Sequence, residues 1–137
     1  MKRSISISTC FNYEVPFEEQ IPFIAQAGFS HISLGENEQH SKYKSPAARK
    51  RIKDLLEEHS LKIDTIHGPQ LDKPNIMETI LPICEAANDL TVPVVVLHGG
   101  PFEFEQHELE ERLTILLDTC AKLEDVSKQY DVTFALE

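Results

Sequence analysis

Three apolar, β-rich runs each end in a side chain that can bind a metal ion. The side chains are His67, His98 and Glu137, and the runs cover residues 62–67, 94–98 and 132–137. Intervals of 31 and 39 residues separate the three side chains, and each interval suits one strand–helix–strand unit. Neighbouring parallel strands lie about 4.8 Å apart, so two imidazoles and a carboxylate at their carboxyl ends can converge on one ion. The chain stops at the third of these residues, and we therefore expect the site to be unfinished within it.

The elements that must position these residues alternate along the whole sequence. Predicted strands cover residues 4–9, 31–34, 62–67, 93–97 and 132–137. Predicted helices cover residues 16–28, 45–60 and 75–90, the last with a bend or restart at Pro82. A fourth helix has an expected inner stripe of Leu109, Leu113, Leu116 or Leu117, Cys120 and Leu123. No linker interrupts the alternation, which predicts a single domain over residues 1–137.

This βαβαβαβαβ order predicts an α/β fold with a parallel sheet and right-handed crossovers. Open sheets that bind nucleotides usually have a glycine-rich turn after the first strand, whereas residues 9–13 contain no glycine. A barrel places functional side chains at the carboxyl ends of several strands, as the two histidines and the glutamate are placed. We therefore predict an incomplete (β/α)8 TIM barrel of five parallel strands and four helices, since a full barrel needs about 250 residues.

Composition excludes some classes of function. The formal net charge of −10 argues against a nucleic-acid surface, because phosphate contacts need clustered Lys and Arg. One basic run, residues 42–53, contains no acid; we interpret it as a solvated face, with a phosphate-binding patch as the alternative. No apolar run reaches 18 residues and the amino terminus has no long apolar stretch, which predicts a cytoplasmic protein without membrane contact. Cys10, Cys84 and Cys120 are expected to be buried free thiols.

Four short motifs in this order resemble the xylose-isomerase-like barrel superfamily, over the first five of its eight strands. The motifs are Ala27-Gly28-Phe29, Ile66-His67-Gly68-Pro69, Val96-Leu97-His98-Gly99-Gly100 and Ala135-Leu136-Glu137. The superfamily contains metal-dependent sugar isomerases and epimerases, and the endonuclease IV type of abasic-site nuclease. The resemblance implies a divalent metal, manganese or zinc with magnesium or cobalt as further options, and a small sugar or sugar phosphate as substrate.

The resemblance also implies roles for the three residues. In nuclease-type members, His67, His98 and Glu137 would all be zinc ligands. In isomerase-type members, Glu137 would be a metal ligand and the catalytic proton-transfer group, while His67 and His98 would line the sugar pocket. A divalent ion lowers the barrier to removing the proton beside a carbonyl, and two groups then take and return that proton.

Departures from the family pattern leave open whether the chain is an enzyme. The family usually has an acid in the second strand, where this chain has Ser33, with Glu36 shortly after. Further metal ligands and a second catalytic glutamate come from strands six to eight. The chain is therefore read as a partial member of a sugar isomerase or epimerase family, with an abasic-site nuclease or an inactive binding fragment as alternatives.

Two further expectations concern the rest of the molecule. The remaining histidines, His31, His40, His59 and His107, are expected to be solvated, and His67 and His98 themselves have the alternative role of hydrogen-bonded strand ends. An incomplete barrel should leave apolar strand residues without partners, namely Ile5, Ile7, Ile63, Val95 and Leu97. We therefore expect self-association or a companion chain over the open barrel.

Overall fold

The structure is a computed structural model that describes residues 5–35, 37–72, 75–100, 105 and 108–137. Five strands and five helices alternate within these residues. The strands are β1 (Ser6–Ser8), β2 (His31–Leu34), β3 (Lys62–Gln70), β4 (Val94–His98) and β5 (Thr133–Leu136). The helices are α1 (Phe17–Gln26), α2 (Glu38–Ser41), α3 (Pro46–Glu58), α4 (Ile76–Leu90) and α5 (Leu109–Tyr130). The four predicted helices are present, and α2 adds a single turn between β2 and α3.

All five strands are parallel and lie in sequence order, β1-β2-β3-β4-β5. This order confirms the predicted α/β class and the five-stranded parallel arrangement of an incomplete barrel. Each helix returns the chain to the amino end of the next strand, so every described strand ends on the same side of the sheet. Within the described residues, β1 and β5 form the two edges of the sheet.

The core lies between the helices and alternate residues of the strands. Ile32, Ile66 and Val95 are fully buried in it, together with Phe17 of α1 and Ile80 of α4. These apolar side chains face the helices because a strand directs alternate residues to opposite sides of the sheet.

We expected five apolar strand residues to lack packing partners in an incomplete barrel. This expectation is wrong for three of them. Ile63, Val95 and Leu97 are 6%, 0% and 0% exposed, since they face the helix layer. Ile7 is half-buried and Ile5 is 68% exposed. The opposite face of the sheet carries polar side chains such as Ser33 and Thr65 beside apolar ones such as Val96 and Ala135.

The predicted inner stripe of α5 is confirmed for Leu116, Cys120 and Leu123, which pack in or against the core, and is wrong for Leu109 and Leu113. Leu116, Thr119, Leu123, Val126 and Tyr130 pack inward at helical spacing. The predicted members on the neighbouring stripe are exposed: Leu109 is 37%, Leu113 46% and Leu117 69% exposed. Both stripes repeat every three to four residues, so periodicity alone did not separate a buried stripe from an apolar flank.

Helix ends follow their sequence signals. Gly28 lies two residues beyond Gln26, the last residue of α1, with φ of +88°, the left-handed conformation that glycine adopts most easily after a helix. Helix α4 runs without interruption through Pro82, so the helix does not restart there.

Three of the six basic residues in the run 42–53 pair with acids from other helices. Arg49 and Lys53 both contact Asp89 of α4, and Arg51 contacts Glu18 of α1. These pairs favour the reading of the run as a structural and solvated face over a phosphate-binding patch. Among the helices of the described segments, none is long and apolar enough to cross a membrane.

The three cysteines differ in environment, although all are free thiols. Cys84 is fully buried in α4 and Cys120 is half-buried on α5. Cys10 is exposed, so the expectation of burial is wrong for this residue; it lies in a short 3-10 turn after β1, where Tyr13 Oη donates to its Sγ.

Candidate functional site

The structure brings His67, His98 and Glu137 together at the carboxyl end of the sheet. One donor atom from each residue can be chosen so that the three atoms lie within 4.8 Å of one another. His67 lies in β3, His98 is the last residue of β4, and Glu137 directly follows β5. The two imidazoles are half-buried, while the Glu137 side chain is 66% exposed. The predicted convergence of two histidines and a carboxylate is therefore present in the fold.

Backbone hydrogen bonds tie the ends of β3, β4 and β5 to one another. The amide of Leu71 donates to the carbonyl of His98 at 2.8 Å, and the amide of Gly99 donates to the carbonyl of Glu137 at 3.1 Å. The amide of Glu137 in turn donates to the carbonyl of Leu97 at 2.9 Å. Strand β3 extends to Gln70, beyond the predicted end at His67, because Gln70 pairs with His98 after a register shift. These bonds fix the backbone from which each candidate ligand projects.

Gly68 allows the close approach of β3 and β4 beside His67. A Cβ at this position would lie 2.9 Å from Cδ2 of Leu97 and 3.3 Å from the carbonyl oxygen of Val96. Such distances are tighter than packed side chains tolerate without movement of their neighbours. A side chain here would have to displace Leu97, so the glycine next to His67 suits the close packing of β3 and β4 at the site.

The three side chains fit a divalent metal after a small rearrangement. Nδ1 of His98 lies 3.8 Å from Oε2 of Glu137, and the ring centroids of His67 and His98 are 5.7 Å apart. Ligand atoms bound at about 2.1 Å to one tetrahedral zinc ion lie about 3.4 Å from each other. A closure of roughly 1 Å is required, and the exposed Glu137 side chain has room to rotate. Two imidazoles and one carboxylate form a donor set that suits zinc and manganese.

A groove of about 420 Å³, lined by both polar and apolar side chains, includes His67 and Glu137 of this cluster. Ser6 Oγ donates to Oδ1 of Asp64 at 2.9 Å, which joins β1 to β3 across β2. Thr65 Oγ1 donates to Oγ of Ser33 at 2.5 Å. The groove is lined by Ser6, Ser8, Ser33, Asp64, Thr65, His67, Val96, Ala135, Leu136 and Glu137.

Asp64 is the residue in this groove that sequence reasoning missed. The β2–β3 register shifts between Ile32 and Ser33, so that Ile32 pairs with Ile63 and Ser33 with Thr65. Asp64 is the extra residue of this bulge, and its carboxylate lies beside Ser33, where the family pattern led us to expect an acid. No local signal marks this residue, because the run Ile63-Asp64-Thr65-Ile66 does not alternate and the bulge depends on the pairing with β2. Glu36, the other candidate, lies outside the described residues.

The remaining histidines are not all solvated. His40 is half-buried: its ring makes edge contacts with Tyr13 and Phe17, and its Nε2 lies 2.8 Å from the carbonyl oxygen of Val15. The expectation of solvation is wrong for this residue, which packs the loops after β1 and β2 together. His31 and His59 are also half-buried, at the start of β2 and the end of α3. His107 lies outside the described residues.

Comparisons with known proteins show what this fold is similar to. No protein-family model matches the sequence, and no curated protein is a significant match. A solved structure of a D-tagatose 3-epimerase-like protein superposes with a TM-score of 0.79 at 21% identity, over 98% of this chain and 52% of that chain. The IOLI protein, solved with a bound zinc atom, gives a TM-score of 0.82 at 15% identity, over 98% of this chain and 51% of that chain.

A third solved structure, of D-psicose 3-epimerase in the presence of D-fructose, gives a TM-score of 0.76 at 10% identity. That match covers 98% of this chain and 52% of the epimerase chain. The chain thus spans about half the length of each of these solved proteins. At these identities the likeness concerns the fold, and the chain has the fold of about half of a xylose isomerase-like TIM barrel.

Proposed function

We propose that this chain carries part of the site of a metal-dependent sugar isomerase or epimerase. The observation that carries the proposal is the convergence of His67, His98 and Glu137, with donor atoms within 4.8 Å of one another. Zinc or manganese bound there would act as a Lewis acid toward a carbonyl and its neighbouring hydroxyl. The similar solved proteins include a D-psicose 3-epimerase and a D-tagatose 3-epimerase-like protein by name, and the IOLI protein was solved with zinc.

The three residues have distinct tasks in this proposal. Glu137 would hold the metal with one carboxylate oxygen and take the proton from the carbon beside the carbonyl with the other. His67 and His98 would hold the metal or orient the sugar oxygens. His67 in β3 and His98 at the end of β4 are half-buried, whereas Glu137 after β5 is exposed. A substrate would therefore approach from the Glu137 side.

The hydrogen-bonding groups in the groove support a small polyhydroxylated substrate. Hydroxyls of Ser8 and Thr65 and the carboxylate of Asp64 line a volume of about 420 Å³ together with two of the candidate ligands, His67 and Glu137. These groups accept and donate hydrogen bonds, which suits the hydroxyls of a ketose or aldose. Free thiols at Cys84 and Cys120 support a reducing compartment such as the cytoplasm.

Deuterium exchange tests the proposed chemistry. The chain is loaded with Mn²⁺ or Zn²⁺ and incubated with a panel of ketoses and aldoses in D2O, and ¹H NMR follows the proton beside the carbonyl. We expect exchange that needs the metal and is lost in Glu137→Gln. Metal-loaded protein that exchanges no proton of any sugar would contradict the proposal and favour an inert binding fragment.

A zinc phosphodiesterase of the abasic-site type is the second candidate. The observation that favours it is the presence of both histidines beside Glu137, because two histidines and a glutamate are an established catalytic zinc set. The net charge of −10 opposes it, as does the pairing of Arg51 and Lys53 with acids. Nicking of an abasic duplex by the zinc-loaded chain, abolished in His98→Ala, would favour the nuclease over the isomerase.

A further inference from the structure

Two contacts from the chain after β3 hold the Gly99-Gly100 segment, which directly follows His98. The amide of Leu71 donates to the carbonyl oxygen of His98 at 2.8 Å. The next side chain, Asp72, packs against Gly100, because a Cβ at Gly100 would lie 3.2 Å from Cγ of Asp72 and 3.3 Å from its Oδ2. Gly100 has φ of +118°, a conformation that residues with a side chain rarely adopt. The backbone on both sides of Gly99 is therefore in contact with residues 71 and 72.

Helix α5 reaches the same carboxylate through Arg112. Nη1 of Arg112 lies 3.7 Å from Oδ2 of Asp72, and Nε of Arg112 lies 3.8 Å from Oε2 of Glu108, which directly precedes the helix. These distances are longer than hydrogen bonds, so the guanidinium acts as a positive charge between two carboxylates. The first turn of α5 is thus joined through Asp72 to the Gly99-Gly100 segment.

The carboxylate of Asp72 needs this charge because it is largely enclosed. The side chain is 27% exposed, and its Oδ1 is buried and receives no hydrogen bond within the described part of the chain. A carboxylate that leaves water without a full set of hydrogen-bond donors depends on a neighbouring positive charge. Without the charge of Arg112, we expect the Asp72 carboxylate to move toward water and away from Gly100.

Close packing does not hold this arrangement by itself. Asp72, Gly99 and Arg112 line a cavity of about 270 Å³. A Cβ at Gly99 would meet no atom within 4 Å, so the backbone there has room to move. The attraction between Arg112 and Asp72 therefore adds a restraint that packing does not supply.

We infer that Asp72 and Arg112 are positioning residues for the candidate metal centre. Arg112 holds Asp72, and Asp72 holds the Gly99-Gly100 segment, which fixes the backbone from which the His98 imidazole projects toward Glu137. Metal ligands tolerate changes in distance of only about 0.2 Å, so a small shift of this segment is enough to weaken binding. The effect on metal affinity rests on the proposed function, whereas the restraint on the segment does not.

Backbone hydrogen exchange, followed by NMR on the metal-free protein, tests the restraint. In Arg112→Gln, we expect the amides of Leu71 and Gly99 to exchange about tenfold faster than in the wild type, because local opening becomes easier. The amide of Lys62, which is hydrogen-bonded at the amino end of β3, should keep its rate. Equal acceleration at all three amides would indicate general destabilisation and overturn the inference.

Lys122→Gln is the matched control for the loss of a positive charge from α5. Lys122 pairs with Asp118 at 2.6 Å on the exposed side of the helix. We expect wild-type exchange rates at Leu71 and Gly99 in this variant. Arg112→Lys keeps a positive charge near Asp72 and should restore most of the protection. Wild-type rates in Arg112→Gln, or the same acceleration in Lys122→Gln, would overturn the restraint.

Calorimetric titration with Zn²⁺ measures the consequence for the site. Arg112→Gln should bind zinc about tenfold more weakly than Lys122→Gln, the lower end of the loss when a residue that orients a metal ligand is removed. Loss of a nearby positive charge alone would strengthen the binding of a cation, so weaker binding reports the position of His98. Asp72→Asn should give the same loss, and the double variant no more than either, because both residues act through one contact.

The two measurements separate this inference from the proposed function. A wild type that binds no zinc would contradict the proposed function, and the exchange rates would still decide whether Asp72 and Arg112 restrain the Gly99-Gly100 segment. A wild type that binds zinc, with equal affinities in Arg112→Gln and Lys122→Gln, would overturn the positioning role and leave the proposed function standing.

Discussion

Nδ1 of His98 lies 3.8 Å from Oε2 of Glu137, although the two residues are 39 positions apart in the chain. The backbone holds them together: the amide of Glu137 donates to the carbonyl of Leu97, and the amide of Gly99 donates to the carbonyl of Glu137. The distance is too long for a hydrogen bond between the side chains and close to the separation of two ligands on one metal ion. The spacing of the pair is therefore compatible with the proposed metal site.

Gly68→Ala should destabilise the protein by about 1–3 kcal/mol, the usual cost of overpacking. The added Cβ would lie 2.9 Å from Cδ2 of Leu97, which is fully buried, and 3.3 Å from the backbone oxygen of Val96. Gly99→Ala is the control, since a Cβ there meets no atom within 4 Å. Urea denaturation measures the stability of both variants. Equal midpoints would contradict the conclusion that a side chain at position 68 overpacks the β3–β4 contact.

Asp89→Asn should lower the free energy of unfolding by about 1 kcal/mol, the scale of one partly exposed ion-pair network. Hydrogen bonds from Lys53 and Arg49 hold the pKa of the Asp89 carboxyl below its ordinary value of 3.8. Because the folded-state pKa is the lower one, this stabilisation is present above pH 3.8 and is lost as the pH falls through the folded value. In Asp89→Asn, the largely buried Arg49 side chain, which is 11% exposed, would lose its ion-pair partner.

Denaturation at pH 7 and pH 3 separates this effect from a general one. The wild type and Asp89→Asn should differ at pH 7 and converge toward pH 3. Lys50→Ala, which removes only the exposed pair with Asp54, should leave the midpoint unchanged at both pH values. If the free energies of unfolding of wild type and Asp89→Asn differed by the same amount at both pH values, the stabilisation would not depend on the charge of Asp89.

Cys84 should be inert to thiol reagents in the folded protein. Burial raises the pKa of its thiol to about 12 from an ordinary value of 9.0, because the thiolate loses its hydration. The unfolded chain releases this proton first, so stability should fall as the pH rises from about 9 toward 12. Titration with Ellman's reagent at pH 8 should show reaction at the exposed Cys10 and none at Cys84 until denaturant is added.

The control for the alkaline effect is Cys84→Ala, in which the loss of stability between pH 9 and 12 should be shallower than in the wild type. Rapid labelling of Cys84 in native buffer would contradict its place in the core.

Much of this fold could be predicted because its signals are local. Apolar strand runs, the Ser45-Pro46 start of α3 and the glycine after α1 each reflect the chemistry of a few neighbouring residues. The convergence at the candidate site followed as well, since parallel strands put their carboxyl ends on one side.

The predictions that were wrong concern which face of a helix or strand is covered by the rest of the fold. The Leu109–Leu113–Leu117 stripe and the inward Leu116–Leu123 stripe are both apolar, and only contact with β5 and α4 decides between them. Asp64 entered the concave groove through a bulge, and a register shift of this kind has no signature in the strand's own composition.

Metal titration by calorimetry tests the central claim most directly. Zn²⁺ and then Mn²⁺ would be titrated into the wild type and into a variant with His98→Ala and Glu137→Gln. His31→Ala, at the amino end of β2, controls for binding by an unrelated imidazole. The predicted result is one ion bound per chain at micromolar or tighter affinity, weakened at least tenfold in the double variant and unchanged in the control. No binding by the wild type, or equal binding by the double variant, would contradict the site.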